Sequence, residues 1–148
     1  AIAQAICNSF KKQLLEGDAN FTQTTGDQFK LALYQSTANL SASATAYTSS
    51  GEATDTGSGD YSAGGKKLAK GSQNTSVASG VAIVDFADLS FTGVTLTARG
   101  ALIYNTSSAV TNAAVAVLDF GGNKTATAGT FTIQFPAFTT SAAILRIS

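Results

Sequence analysis

The sequence predicts a mainly β protein: an antiparallel, jelly-roll-like β-sandwich of about seven or eight strands. Three observations predict it. Short apolar or alternating runs recur through residues 28–34 and 81–147, separated by Gly, Asn, Thr and Ser. Phe131, Ile133 and Phe135 alternate with Thr130, Thr132 and Gln134, the pattern of a strand with one buried and one wet face. Only the first residues, 1–16, carry a helical period.

The chain has 148 residues, which fits one domain spanning 1–148. A chain of that size buries enough surface to fold without metals or disulfides. Within it, residues 28–148 form the predicted sandwich.

Residues 1–16, AIAQAICNSFKKQLLE, read as an amphipathic N-terminal helix. Ile2, Ile6, Phe10 and Leu14 recur every four residues, with Ala3 and Leu15 beside them. Gly17 supplies a natural stop. So short a helix is marginal alone in water, so docking decides whether it exists. Its stripe must lie on its own sheet or on a neighbouring subunit.

Gln28 to Tyr34 alternates, with Phe29, Leu31 and Leu33 on one face. Residues 35–80 are rich in Ser, Thr, Ala, Gly and Asn and lack periodicity. They read as long loops with a short helical turn near 44–48. Gly64-Gly65 marks a tight turn, and Tyr47 and Tyr61 serve as anchors onto the core. A loop this long within a compact domain is usually functional or ordered by a partner.

The β pattern resumes at 81–86, then at 89–91, 94–98, 101–104, 115–120, 131–135 and 144–147. Ala114 to Leu118 is apolar on both faces, so it belongs at the centre of a sheet or beneath the helix. Pro136 follows the 131–135 strand as a terminator.

The chemistry is sparse. The chain has no histidine, which removes Ser-His-Asp and Cys-His catalysis and most zinc sites. The one cysteine, Cys7, has no partner for an intrachain disulfide; it reads as a small buried hydrophobe rather than a link between copies. Asp85, Asp88 and Asp119 fall near strand ends. A glycosidase would also need sugar-stacking aromatics, and there is no tryptophan. Asp85 and Asp119 read instead as strand caps or partners of Arg99 and Arg146. Asp55 and Asp60 occupy a Gly-rich loop whose spacing fits no EF-hand. No phosphate-binding glycine fingerprint occurs. The Asn-x-Ser/Thr triplets at Asn20, Asn39, Asn74, Asn105 and Asn123 read as turn and capping positions. No catalytic, cofactor or metal residue is assigned.

Lysine and arginine balance aspartate and glutamate at nine each, so formal net charge is zero. That argues against nucleic acid, which requires a basic patch; Lys66, Lys67 and Lys70 follow Asp55 and Asp60 and read as a solvated loop. The N-terminus lacks the pattern of a signal peptide, and no apolar run approaches the roughly 20 residues of a membrane span. Charged residues are 12% of the chain, against about 25% in typical proteins. A surface so poor in charge is weakly protected from association and suits a chain packed against others.

FKLALYQSTANL, TAYTSSGEATDTGSGDYSAGG, VDFADLSF, TARGALIYN and AVLDFGGNKTATAGTFTIQFP resemble small virion proteins of tailed bacteriophages. The likeness runs in order over nearly the whole chain. It implies a non-enzymatic virion structural protein, assembled in the host bacterial cytoplasm, with other virion proteins as partners. The first expectation is a capsid decoration or cement protein that binds the major capsid protein, as a homo-oligomer. A tail, baseplate or fibre-associated part is the alternative, and a carbohydrate-binding module on the virion comes third. The expected interface residues are Ile2, Ile6, Phe10, Leu14, Tyr47 and Tyr61, on the helix and on the long loops.

Overall fold

The computed structural model describes residues 1–70 and 74–148. Two antiparallel sheets and one short helix carry the fold. The larger sheet combines β1 (Ala5–Ile6), β2 (Phe29–Tyr34), β3 (Lys66–Lys67), β6 (Leu89–Asn105) and β7 (Ala113–Ile133) in the order β1–β7–β6–β2–β3. The smaller combines β4 (Thr75–Ala78), β5 (Val81–Val84) and β8 (Leu145–Ile147) in the order β4–β5–β8. The protein is mainly β and sandwich-like, as the sequence predicts.

The N-terminal helix is shorter than predicted. The helix α1 spans Asn8–Glu16, and residues 1–7 are extended. Ile2 bridges Leu40 in parallel, and Ala5 and Ile6 pair with Val117 and Ala116 of β7. The Cys7 N–H donates to the Val115 carbonyl at 2.9 Å. The physical reason is periodicity. A spacing of four is even, so Ile2 and Ile6 share a strand face as readily as a helix face. The free edge of β7 then offers backbone partners that a frayed first turn lacks. The predicted stop is correct: Gly17 takes φ +74° and closes a Schellman motif, with Asp18 N–H donating to the Gln13 carbonyl at 2.9 Å.

The predicted strands at 89–91, 94–98 and 101–104 are one strand, β6, and those at 115–120 and 131–135 are the two ends of β7. These long strands pair from Asn105↔Ala113 to Leu89↔Ile133. Glycine and threonine that read as turns are bulges instead. The register shifts between Phe91 and Val94, between Val94 and Leu96, and between Ala98 and Gly100. At the last of these, Gly100 pairs with Asp119 while Ala98 pairs with Lys124, so 120–123 bulge out opposite Arg99. Arg99 Nε donates to Asp119 Oδ1 at 2.9 Å across the bulge, one of the roles the sequence left open for Asp119.

Ala113 to Val117 is buried, flanked by β1 and β6 and covered by α1; a stretch apolar on both faces needs that position. The core continues through Leu31, Leu33, Leu102 and Ile103. An aromatic cluster links helix, loop and sheets. Phe10 meets Phe21 edge-on at 5.9 Å, Phe21 stacks on Phe29 at 4.6 Å, and Phe86 packs against Phe29 and Phe135. Phe10 therefore docks the helix on its own body.

The segment 35–80 is ordered by side chains more than by strands. It contains β3 and the whole of β4, two short strands that the loop reading did not foresee, and positions 71–73 lie outside the described residues. No helical turn forms at 44–48; Ala46 makes a bridge to Ala113, because the end of β7 offers it a ladder position. The Gly64-Gly65 turn is present. Gly65 has φ +72°, and a Cβ there would lie 1.7 Å from the Leu31 carbonyl oxygen, so only glycine lets the turn approach β2.

Candidate functional site

All nine carboxylates of the chain accept hydrogen bonds or ion pairs within the fold. Asp55 shows the use made of them. Its Oδ1 accepts from Gly57 N–H at 2.9 Å and from Thr95 N–H at 2.8 Å, and its Oδ2 accepts from Gly59 N–H at 2.9 Å. Thr95 lies in a β6 bulge, so the loop carboxylate satisfies a donor that the ladder has lost. These N–H donors, Thr95 foremost, hold the Asp55 carboxyl below its ordinary range.

Asp60 accepts from Lys66 Nζ and, at 2.7 Å, from Thr92 N–H. The Lys66 ammonium also lies 5.1 Å from the Phe91 ring centroid. Lys70 donates to the Thr22 carbonyl at 2.8 Å. Two of the three lysines are thus committed to structural contacts, while Lys67 stands exposed on β3. Among the described residues, no group of three or more His, Cys, Asp or Glu side chains could hold a metal ion.

Asp88 Oδ1 accepts from Phe135 N–H at 2.8 Å, and Asp85 Oδ1 accepts from Phe86 N–H at 2.9 Å. Asp85 is buried, and burial raises its carboxyl above the ordinary range. Arg146 donates to the Ser141 carbonyl at 2.7 Å rather than to Asp85. Cys7 is fully buried, and burial pushes its thiol up to about 11. That suppresses the thiolate a nucleophile needs.

The sequence did not foretell the convergence of all four tyrosines on one carboxylate. Glu52 accepts from Tyr47 Oη at 2.6 Å, Tyr61 Oη at 2.7 Å and Gly64 N–H at 2.7 Å. Tyr104 stacks on Tyr47 at 5.0 Å and donates to the Gly64 carbonyl at 2.6 Å. Tyr34 donates to the Thr48 carbonyl at 2.6 Å. Burial, with Glu52 beside them, pushes Tyr47 and Tyr104 up to about 12 and raises Tyr34 and Tyr61 further. The cluster pins residues 47–64 onto β2 and β6. Tyr61 is buried and Tyr47 half-buried, so both anchor the loop as expected.

The open surface feature is an apolar groove of about 630 Å³ between α1 and the smaller sheet. Phe10, Phe21, Ile83 and Leu145, all buried, form its floor. Ile6, Leu14 and Val84 form its half-buried walls. Leu15, Val77 and Ile147 stand on its rim at 91%, 72% and 61% exposure. Lys11 and Arg146 are its only charged lining residues.

Of the six predicted interface residues, the structure brings Ile6, Phe10 and Leu14 to this groove. Ile2 is buried where the N-terminal segment meets Leu40, and Tyr47, half-buried, and Tyr61, buried, are held in the tyrosine cluster rather than at the groove. Leu15 belongs to the rim, away from the buried face of the helix. Val77 escaped the sequence reading because it lies in the Ser- and Thr-rich segment that reads as loop, and Ile147 because it sits in a short apolar run that looks like any core strand.

A second hollow of about 530 Å³ lies beside the β7 bulge, between Leu118, Phe120, Phe131 and Ile144. Its Asp119 is engaged by Arg99 and by Gly121 N–H. Among the described residues no helix is long and apolar enough to cross a membrane. Comparison with known proteins finds no matching family model, no matching curated protein and no matching solved structure.

Proposed function

We propose that this chain is a non-enzymatic structural protein of a bacteriophage particle, placed on the capsid as a decoration or cement protein. The observation that carries the reading is the apolar groove with Leu15, Val77 and Ile147 standing around it. Large side chains exposed together mark an interaction surface. The rest of the molecule fits a scaffold for that surface. Its tyrosines and most of its carboxylates are engaged in holding loops to strands, and none lines the groove among the described residues. The sequence resemblance to small virion proteins of tailed bacteriophages points the same way.

In this role the long loops and sheets set a rigid body, and the groove face meets neighbouring virion proteins. The test is to purify the particles of a phage that encodes the chain and to measure its copy number by quantitative mass spectrometry. Copies in the hundreds, mapped to the shell by electron microscopy, are expected. A few to tens of copies confined to the tail would replace the capsid placement with a tail or baseplate one. Absence from the particles refutes the reading.

A further inference from the structure

We propose that the groove between α1 and the β4–β5–β8 sheet seats a second copy of this chain, which inserts its Leu15 there in a two-fold contact.

Three of the four large apolar side chains exposed on the molecule, Leu15, Val77 and Ile147, surround this one groove. Single exposed hydrophobics are ordinary, but three around a concave apolar floor form a patch that water covers poorly. Leu15 is the most exposed of them, at 91%. It projects from the last turn of α1 as a knob beside the hollow.

The charges identify the occupant. Lys11 and Arg146 are the only charged residues lining the groove, and neither makes an ion pair among the described residues. An occupant should therefore be apolar with carboxylates beside its apolar atoms. The chain itself carries such a segment, Leu15-Glu16-Gly17-Asp18, at the end of the same helix. Glu16 is held only by the exposed i,i+4 pair to Lys12 at 2.9 Å, which is worth little and is readily exchanged. Asp18 keeps its contact to Ala109 N–H at 3.0 Å while adding negative potential.

Knob and hollow thus lie on one patch with opposite charge. A two-fold contact needs that self-complementarity, because Leu15 of each copy meets the groove of the other and the assembly closes at two. Glu16 of each copy then faces Lys11 and Arg146 of its mate. A standard contact takes about 800 Å² per partner, roughly a ninth of the 7229 Å² surface. The helix face and the three-stranded sheet together offer a continuous area for it.

This inference names a partner for the surface invoked above and rests on that surface alone, independent of any place in a virus particle. A monomeric protein found in particles sinks it and leaves the particle reading intact; a dimer absent from particles does the reverse.

Sedimentation velocity of the intact chain, from about 1 μM to about 1 mM at low salt, is the test. A concentration-dependent dimer is expected. Leu15→Glu should leave the circular dichroism spectrum and melting curve unchanged, because Leu15 makes almost no contact in the monomer. It should raise the dimer dissociation constant about a hundred-fold, because each dimer loses the knob twice. Lys11→Glu should weaken the dimer, and Lys11→Glu combined with Glu16→Lys should restore part of it, because Arg146 still meets the new lysine. A monomer at every concentration overturns the proposal. So does a dimer that Leu15→Glu leaves intact, or a charge exchange that restores none of what Lys11→Glu removed.

Discussion

Replacing Glu52 should unpin the 47–64 loop, and two substitutions separate the acceptor from the charge. Glu52→Ala removes the acceptor of Tyr47 Oη, Tyr61 Oη and Gly64 N–H. Tyr47 is half-buried and can turn to water. Gly64 N–H is buried and loses its charged acceptor outright, and Tyr61 Oη exchanges it for the longer, neutral contact to the Leu33 carbonyl at 3.4 Å. A hydrogen bond to a charged group is worth about 1.5–3 kcal/mol. One such loss in full and one in part amount to about 3 kcal/mol, or a fall in Tm of roughly 10 °C for a chain of this size. Glu52→Gln should cost less. Both buried donors point at the same oxygen, Oε1, which glutamine keeps as its carbonyl. The amide then faces only Tyr47, whose hydroxyl can accept instead of donate. The expected loss is about 1–2 kcal/mol, mainly for the missing charge. Thermal and urea unfolding of the three proteins at pH 7 measure both. An alanine cost below 1 kcal/mol, or a glutamine cost equal to the alanine one, would refute the assignment of Oε1 as the acceptor that holds the loop.

The same cluster predicts an alkaline transition: burial raises all four tyrosines, Tyr47 and Tyr104 to about 12. A raised folded-state pKa contributes stability that is full below the ordinary value of about 10 and is lost as pH climbs toward 12. Tyrosinate absorbance should therefore stay flat through pH 10 and rise together with loss of the β signal; a smooth titration centred on pH 10 in the folded protein would contradict it. Asp85→Asn should act at the acid end. The folded carboxyl is raised by burial, so its contribution is full below about pH 4 and falls as pH rises. Urea denaturation at pH 3 and pH 7 should show the variant gaining on the parent as pH rises; the opposite trend counts against a desolvated Asp85. Phe10→Ala should cost about 3–5 kcal/mol, because the ring is 2% exposed and edges onto Phe21. A melt of the isolated protein that shows no change would mean that the helix does not dock on its own body.

Much of the architecture was legible in the residues. Phe29, Leu31 and Leu33 share the core face of β2 as read, although Ala32 and Tyr34 on its other face are buried too, and 114–118 is apolar throughout because β7 lies between β1 and β6 under α1. Gly17 and Gly64-Gly65 mark positions where the backbone takes positive φ, a requirement that side chains cannot meet cheaply. The misreadings share one physical origin. Local pattern cannot distinguish a turn from a bulge, since both use Gly, Asn and Thr; the partner strand decides. Residues 120–123 leave the ladder and return to it only because β6 continues opposite them. The spacing of Ile2, Ile6, Phe10 and Leu14 likewise satisfies two periods. The unpaired edge of β7 claimed the first half for a strand and left the second half helical.

The candidate site was less legible, and for a different reason. The tyrosine cluster joins positions 34, 47, 52, 61 and 104, and no period connects them. The one available signal was chemical: a tyrosine in a core must find a partner for its hydroxyl, and Glu52 is the first charged residue after Lys30. The groove is harder still. Leu15 sits beside the apolar stripe, Val77 lies in a segment that reads as loop, and Ile147 looks like a core residue of a short strand. Their exposure follows from the smallness of the second sheet. Three strands of four, four and three residues cover Ile83 and Leu145 but lack the breadth to cover their own rim. A small sheet laid beside a short helix thus leaves an apolar edge that the monomer does not close. A chain with so few charges has little to keep that edge apart from another like it, so the geometry that escaped the sequence is also the geometry on which the proposed contact between copies rests.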